Sequence, residues 1–234
     1  MALPGFRDFY PDDCSFRNTI FSHWRRVVQR YGFVEYDGPP LESLDLFTKK
    51  SGAEIVGQLY NFVDKGDREV ALRPEMTPTL ARLVTAKHKD YRKPLKWYAI
   101  PQVFRYERQQ KGRLREHYQL NCDIVGEPGL EADIELIALV VDVLRSFGFT
   151  ENDFVVRLSD RVFWSNFMQQ HGVAEDQRYP FLQAIDLPAP CLLHSLCFSL
   201  RRPLRDCDSL QNELFGRCHA RGVLVELKQR FGVA

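Results

Sequence analysis

Two runs rich in β-branched and aromatic residues, separated by a short polar stretch, constrain the fold of this chain most strongly. Residues 96–108 and residues 117–125 each have the composition of a strand, and residues 109–116 between them are polar and basic and include Gly112. Two such runs joined by a loop of this kind predict a long antiparallel hairpin. The chain is therefore expected to be built on an antiparallel sheet rather than on a doubly wound parallel sheet.

Shorter elements surround this hairpin. Alternation predicts further strands at residues 33–36, 58–63, 69–73 and 154–158. Helical spacing predicts helices at residues 78–87, 130–147 and 162–171, and a first helix on which Phe16, Ile20, Trp24, Val27 and Tyr31 recur. Pro11–Asp13 is predicted to be a turn before that helix, with Ser15 as its cap. Because the helices do not alternate strictly with the strands, we predict an α+β fold.

The composition excludes several classes of protein. The 234 residues are 44% hydrophobic and 27% charged, which is ordinary for a globular protein. No run approaches the roughly 20 apolar residues of a membrane span, and the first ten residues lack the apolar core of a signal peptide. We therefore predict a cytoplasmic protein with no membrane partner. The net charge of +1 limits any contact with nucleic acid to a local patch.

Clustered cations on the hairpin predict a site for a polyphosphate. Alternation places Arg105 and Glu107 on one face of their strand, and an arginine there suits bidentate contact with a phosphate or a carboxylate. The loop adds Lys111, Arg113 and Arg115. Since phosphoryl and nucleotidyl transfer depend mostly on positioning and charge neutralisation, such a cluster is typical of a nucleotide site.

Acidic and amide side chains near the same hairpin predict a site for an amino acid. Glu75 and Asp123 can bind an ammonium group, and the Gln119 amide can orient a polar substrate. A basic pocket with acids at one end suits an amino acid that reacts with ATP. Taken singly, the basic loop is also compatible with a solvated surface, and Glu75 with a helix cap.

Together these segments resemble the catalytic domain of the histidyl-tRNA synthetases, a family of class II aminoacyl-tRNA synthetases. PGFRDFYPDD resembles the N-terminal opening of that family, and residues 15–42, ending at Pro39 and Glu42, resemble the first class II motif at the dimer interface. LRPEMTP resembles the histidine-site segment, and FRYERQQKGRLREHYQLNCDIVG resembles the second class II motif. The resemblance covers roughly residues 3–185. It implies a class II antiparallel sheet flanked by helices, incomplete in this chain.

The resemblance also implies roles for individual residues. Glu75 and Thr77 would contact the α-amino group of histidine, and Gln119 and Asp123 would complete the amino acid pocket. The catalytic residue would be Arg105, which would bind the α-phosphate and the substrate carboxylate. ATP would be bound by Arg105, Glu107, Arg113 and His117. The implied reaction is attack of the histidine carboxylate on the α-phosphate of ATP, accompanied by Mg²⁺, followed by transfer to tRNA(His). The implied assembly is a homodimer.

The second half of the chain departs from the family pattern. Family members carry a second histidine motif similar to RGLDYY, a glycine-rich third class II motif and an anticodon-binding domain, and we find none of these sequences. We therefore predict that residues 1–186 form the N-terminal part of the catalytic core. Residues 187–234 are predicted to be a divergent, cysteine-rich tail. The chain is then either a truncated synthetase or a shortened paralogue, and its own activity is an open question.

Two other functions compete with the synthetase hypothesis. A non-catalytic relative, such as the regulatory subunit of ATP phosphoribosyltransferase, keeps the fold but typically degrades the substrate pocket, which is intact in this sequence. A generic ATP- or RNA-binding protein would bind nucleotide without any need for histidine. Cys191, His194 and Cys197 fit no standard zinc spacing, so we predict that the chain has no metal site.

Overall fold

The computed structural model describes residues 2–51, 53–106, 114–158, 160–185 and 223–227. The chain divides into two compact units, Met1–Gly148 and Phe149–Ala234. The candidate site residues that the structure describes all belong to the first unit. The boundary between residues 186 and 187, which was drawn from composition, stays a prediction.

Helices and strands alternate irregularly along the described residues. The α-helices are α1 Pro11–Arg30, α2 Leu44–Ser51, α3 Thr77–Lys87, α4 Leu130–Arg145, α5 Arg161–Gln170 and α6 Glu175–Ile185. The strands are β1 Val34–Glu35, β2 Leu41–Ser43, β3 Asn61–Val63, β4 Glu69–Leu72, β5 Leu95–Ala99, β6 Gln102–Phe104, β7 Glu116–Tyr118, β8 Asn121–Val125, β9 Phe154–Leu158 and β10 Val223–Leu227. A 3₁₀ helix spans Ala53–Gln58. Among the described strand pairs, β1 and β5 run parallel and the others run antiparallel, which confirms the predicted α+β fold.

The first helix begins earlier than the sequence predicts. The prediction of a turn at Pro11–Asp13 with Ser15 as the cap is wrong, because these residues form the first turns of α1. Proline fits the first helical position, where its missing N–H would have no partner inside the helix. The two aspartates that follow it stabilise the helix, because their negative charges lie at the positive end of the helix dipole. Beyond the other end lies Gly32, whose φ of 77° is a left-handed conformation that glycine adopts without strain.

The predicted hairpin is present, but each of its long strands is broken in two. β5 pairs with β8 and β6 pairs with β7, both antiparallel, in two separate sheets. The break follows from Pro101, which lies between β5 and β6 and has no N–H to donate to the ladder. The Pro101 carbonyl accepts a hydrogen bond from the Gln119 backbone N–H at 3.2 Å. The two long strands of the hairpin therefore bend at the same level.

A second small sheet carries the segment that leads into the candidate site. It has the strand order β2-β4-β3 and is antiparallel throughout. The hairpin between β3 and β4 was predicted, although β3 begins at Asn61 rather than Gln58 because the 3₁₀ helix precedes it. The elements β2 and α2 were not predicted. The small sheet places the end of β4, and hence the start of α3, beside the main hairpin.

Helices α1 and α4 pack on one face of the sheet formed by β1, β5 and β8. The buried cluster there contains Val28, Phe33, Tyr98 and Leu139. Trp97 pairs with Asp123 across β5 and β8, one position away from Tyr98. Because side chains alternate along a strand, these two residues lie on the opposite face from the helices. That opposite face is the one available for a functional site.

The second unit has a small core of its own. β9 pairs antiparallel with β10, and the rings of Trp164, Phe167 and Phe181 on α5 and α6 lie within 5.9 Å of one another. Asp160 caps α5, because its carboxylate accepts a hydrogen bond from the Phe163 backbone N–H at 2.7 Å. The strand β9 and the helix α5 match the predicted elements, whereas α6 and β10 were not predicted. Within the described residues, no helix is both long and apolar enough to cross a membrane.

Candidate active site

One hydrogen bond joins the two sequence patterns that are expected to surround the substrates. Arg105, directly after β6, donates from Nε to the backbone carbonyl of Pro74 at 3.2 Å. Beside it, the Phe104 backbone N–H donates to the carbonyl of Arg73 at 2.9 Å. The half-buried Arg105 guanidinium therefore lies against the turn between β4 and α3, immediately before Glu75.

A buried arginine, Arg73, holds this junction in place. Its side chain donates from Nη1 to the Asp37 carboxylate at 3.0 Å and to the Gly38 carbonyl at 2.7 Å. Its Nε donates to the carbonyl of Gln102 at 3.0 Å. A guanidinium that is only 5% exposed needs such partners, because an unpaired buried charge is strongly unfavourable. Arg73 thus fixes the distance between the β4–α3 turn and β6.

Glu75 and Thr77 lie on that turn. Glu75 is half-buried, and Thr77 is exposed as the first residue of α3. The N-cap position of the helix belongs to the buried Met76 rather than to Glu75. The helix is fixed to β2 through Thr79, whose hydroxyl donates to the Glu42 carboxylate at 3.0 Å. The turn is thereby held at both ends.

Three other expected substrate-binding residues come from β7, β8 and the bend between them. His117 is half-buried in the middle of β7 and pairs with Val103. Gln119 is exposed at the bend. Asp123 is half-buried in the middle of β8, opposite Trp97. The bend at Gln119 therefore separates His117 on β7 from Asp123 on β8.

Burial controls the electrostatics of this region. It raises the pKa of the Asp123 carboxyl, because the charged form loses hydration. The pKa of the Tyr36 hydroxyl is also raised, first by burial and then by the negative charges of Asp123 and Asp37, while the Arg73 cation opposes the rise. Tyr36 is therefore a protonated hydroxyl close to Asp123. Burial and then Asp123 raise the pKa of the Cys122 thiol to about 12, so this cysteine is not a nucleophile at neutral pH.

The N-terminal pattern Gly5–Asp8 anchors the second strand of the hairpin. Glu116 is only 2% exposed, and its Oε1 accepts hydrogen bonds from the backbone N–H of Arg7 at 3.2 Å and from the Arg7 Nε at 3.3 Å. The backbone N–H of Arg115 donates to the carbonyl of Gly5 at 3.0 Å. The pattern therefore fixes the strand end that follows the basic loop.

Two expected ATP-binding residues, Glu107 and Arg113, lie outside the described residues. The expectation that Arg105 and Glu107 share one strand face is consequently not tested. The cysteines and histidine considered for zinc, Cys191, His194 and Cys197, also lie outside the described residues. Within the part of the chain that the structure describes, no group of three or more His, Cys, Asp or Glu side chains is placed to hold a metal ion.

Sequence reasoning missed three polar residues around this site, namely Arg73, Tyr36 and Asn121. The Tyr36 hydroxyl oxygen and the Asn121 Oδ1 are buried and have no hydrogen-bond partner among the described residues. Alternation could have pointed to Asn121, because it lies two residues before Asp123 on the same strand. No local signal marks Tyr36, since it reaches the site through the pairing of β1 with a strand some 60 residues later.

Comparison with protein families and curated proteins gives a consistent result. The family model described as histidyl-tRNA synthetase matches residues 5–212. A histidine–tRNA ligase from Opitutus terrae is 52% identical over 185 residues, which are 79% of this chain and 42% of that protein. The chloroplastic/mitochondrial histidine–tRNA ligase of Arabidopsis thaliana is 48% identical over 74% of this chain and 35% of its own length. The chain thus spans about two fifths of the length of these relatives.

Solved structures share the fold at lower identity. A histidyl-tRNA synthetase from a Nostoc species superposes with a TM-score of 0.68 and 23% identity, over 86% of this chain and 47% of that one. A protein from Bacillus halodurans, described as an ATP phosphoribosyltransferase regulatory subunit/histidyl-tRNA synthetase, gives a TM-score of 0.68 and 21% identity, over 92% of this chain and 59% of that one. These similarities support the predicted class II arrangement of antiparallel sheet and helices.

Proposed function

Since the chain belongs to the histidyl-tRNA synthetase family, we propose that it binds histidine and ATP around Arg105 and acts as a histidine–tRNA ligase. The hydrogen bond from Arg105 to the Pro74 carbonyl is the observation that carries this proposal. It brings a phosphate-binding type of side chain against the turn that bears Glu75. An enzyme that activates an amino acid needs this proximity, because the substrate carboxylate must meet the α-phosphate of ATP.

In the proposed reaction, an oxygen of the histidine carboxylate attacks the α-phosphorus of ATP. The bond from that phosphorus to the bridging oxygen breaks, and pyrophosphate leaves. The histidyl group then passes to tRNA(His) with release of AMP. Arg105 would stabilise the negative charge that develops on the α-phosphate oxygens, and its anchor on Pro74 keeps the guanidinium oriented before substrate arrives.

The remaining roles divide between the two ends of the site. Glu75 and Thr77 would hold the α-amino group of histidine, and Gln119 and Asp123 would line the amino acid pocket. ATP would further contact Glu107, Arg113 and His117. Mg²⁺ would enter with the phosphates of ATP and neutralise part of their charge. Transfer to tRNA(His), a homodimer and a place in the cytoplasm belong to the same proposal.

Histidine-dependent exchange of pyrophosphate into ATP tests the proposal on the purified chain. We expect exchange that requires histidine and falls roughly 10²–10³-fold in Arg105→Ala, because a charge-stabilising donor is lost. Arg145→Ala removes an exposed arginine at the end of α4 and serves as the matched control. Exchange in that control should equal exchange in the unchanged chain.

A direct measurement of histidine binding separates the competing functions. Histidine binding without exchange would favour a non-catalytic member of the family. ATP binding with no histidine binding would refute the proposal and favour a generic nucleotide-binding protein. Exchange that is unaffected by Arg105→Ala would refute the role given to Arg105.

A further inference from the structure

The two faces of the β6–β7 pair have different surroundings. Val103 pairs with His117 in the middle of the two strands, so their side chains share one face. The Arg105 backbone N–H donates to the carbonyl of Arg115 at 2.9 Å, which continues the pairing beyond β6. Arg105 lies two residues after Val103 and therefore belongs to the same face. This face carries two of the residues that the proposed function assigns to ATP.

The opposite face is covered by the N-terminal segment and by α1. Glu116 and Tyr118 are the neighbours of His117 along β7, and alternation directs both of their side chains to this opposite face. The Glu116 carboxylate accepts hydrogen bonds from the backbone and the side chain of Arg7. The residue before His117 is thus held from behind by a cation.

The residue after His117 is held in the same way, by Arg17 of α1. The Arg17 Cζ atom lies 4.9 Å from the centre of the Phe9 ring, 5.3 Å from that of Tyr118 and 5.7 Å from that of Phe21. The Arg17 Nη1 donates to the Tyr118 hydroxyl at 3.4 Å. The half-buried guanidinium is therefore surrounded by three aromatic rings, one of which belongs to β7.

The surroundings of Arg17 differ from those of Arg25 on the same helix. Arg25 forms an ion pair with Glu35 at 3.2 Å, whereas the Arg17 Nε is buried and has no hydrogen-bond partner among the described residues. The attraction between a cation and ring faces grows as the cation loses water. An apolar side chain could fill the same space, but it would provide neither this attraction nor the hydrogen bond to Tyr118.

The constraint on Tyr118 reaches His117 through the backbone of the strand. Successive side chains of a pleated strand point to opposite faces, so a strand that is held by Tyr118 on one face also fixes the direction of His117 on the other. A binding residue that is held before its ligand arrives avoids the entropy cost of being ordered on binding. Contacts behind the strand can therefore strengthen binding in front of it.

We propose that Arg17 is a positioning residue for ATP, which acts through Tyr118 to hold the His117 ring in the orientation that receives the nucleotide. The inference rests on the role in ATP binding that the proposed function gives to His117. Arg17 lies behind the strand and touches neither substrate. It acts on the ATP site only through the position of β7.

Calorimetric titration of the full chain with ATP and with L-histidine tests this inference. We expect Arg17→Met to weaken ATP binding about fivefold, because the cation–ring attraction is lost. Histidine binding should change less than about twofold, since Gln119 is anchored separately to the Pro101 carbonyl. Arg17→Lys keeps a cation among the rings and should restore part of the ATP affinity.

The matched control is Arg25→Met. This variant also removes an α1 arginine that lies over the Phe21 ring, at 6.0 Å, but the ionic partner of Arg25 is Glu35 on β1 rather than a residue of β7. ATP binding by Arg25→Met should equal ATP binding by the unchanged chain. A loss in Arg25→Met as large as in Arg17→Met would overturn the inference.

Nuclear magnetic resonance of the His117 ring gives a second readout that needs no nucleotide. The signals are assigned by their disappearance in His117→Gln. We expect them to move in Arg17→Met, to return toward their original positions in Arg17→Lys, and to stay in place in Arg25→Met. Signals of His117 that do not move in Arg17→Met overturn the inference, even if the melting temperature falls, because Arg17 would then contribute only to stability.

The titrations separate a failure of this inference from a failure of the proposed function. ATP binding that Arg17→Met leaves intact refutes the inference alone. Equal losses of ATP and histidine binding also refute it, and so does a loss of ATP binding that is as large in Arg17→Lys as in Arg17→Met. No ATP binding by the unchanged chain refutes both the proposed function and the inference that rests on it.

Discussion

Asp123 shows at the residue scale how a carboxyl in the proposed amino acid pocket works against stability. Burial raises the pKa of this carboxyl in the folded chain, so the native state keeps its proton to a higher pH than the unfolded state does. Between the two pKa values the unfolded chain binds fewer protons, and the free energy of unfolding falls as pH rises. The contribution of the protonated Asp123 carboxyl to the free energy of unfolding is fully present below the unfolded pKa near 3.8. It is lost above the raised folded pKa.

Replacing this carboxyl with an amide should remove that pH dependence. We expect Asp123→Asn to gain stability relative to the unchanged chain as pH rises from 4 to 7, while histidine binding weakens. Thermal melts across this pH range measure the effect. Asp90→Asn changes an exposed aspartate and provides the control. A stability difference for Asp123→Asn that is independent of pH would contradict the stated cause.

The residue types of the site could be predicted, but their neighbours could not. Arg105, Glu75 and Asp123 stand out because charged side chains occur within apolar runs and recognisable patterns. The contact of Arg105 with Pro74 joins residues that are 31 positions apart, and alternation within a strand says nothing about it. Arg73 is buried among acceptors from two separate segments, so its positioning role becomes visible only after folding.

At the scale of elements, α3 packs closely against the turn after β1. A Cβ atom on Gly38 would lie 2.5 Å from the Cγ2 of Thr79, closer than real contacts allow. The same turn supplies the Gly38 carbonyl that binds Arg73. Glycine at this position therefore sets how closely α3 and its first residue, Thr77, approach the sheet.

A double substitution tests this contact. We expect Gly38→Ala to lower the free energy of unfolding by about 1–3 kcal/mol through overpacking. Thr79→Ser removes the clashing methyl group but keeps the hydroxyl that donates to Glu42, so Gly38→Ala should cost much less in that background. Chemical denaturation of the four chains measures the coupling. Equal costs of Gly38→Ala in both backgrounds would show that the methyl group is not the cause.

Periodicity identified most elements of the first unit but misjudged where they begin and end. The hairpin was evident because its strands are unusually rich in aromatic and β-branched residues. The first long strand is divided at Pro101. Whether such a proline ends a strand depends on how the whole hairpin bends, which periodicity does not show. The short strand β2 was missed because three residues carry too little pattern to distinguish a strand from a loop.

At the scale of the whole molecule, the first unit contains complete pairings for its own strands. β1, β5 and β8 form one sheet, β2, β3 and β4 form another, and β6 pairs with β7, all within Met1–Gly148. Helix α4 completes the core through Leu139, which packs with Val28 and Tyr98. This unit therefore has the pairings and the core that independent folding requires.

We expect fragment 1–148 to fold on its own. It should unfold cooperatively on heating and keep a near-ultraviolet circular dichroism signal from packed aromatic side chains. Fragment 1–129 serves as the comparison, because it lacks α4 and leaves the cluster around Tyr98 uncovered, and it should show no cooperative transition. Gradual melting of fragment 1–148 would contradict the expectation.

The sequence by itself determined the family, the α+β class and the residue types of the candidate site. These properties reside in local patterns such as LRPEMTP and in the strong strand composition of residues 96–125. Only the tertiary structure decided which of these residues meet and what surrounds them. It placed Arg105 on Pro74, buried Arg73 among its acceptors, and left Tyr36 and Asn121 unpaired near Asp123. The physical reason is that burial and partnership depend on strand register and on packing between distant segments, which short-range sequence patterns do not encode.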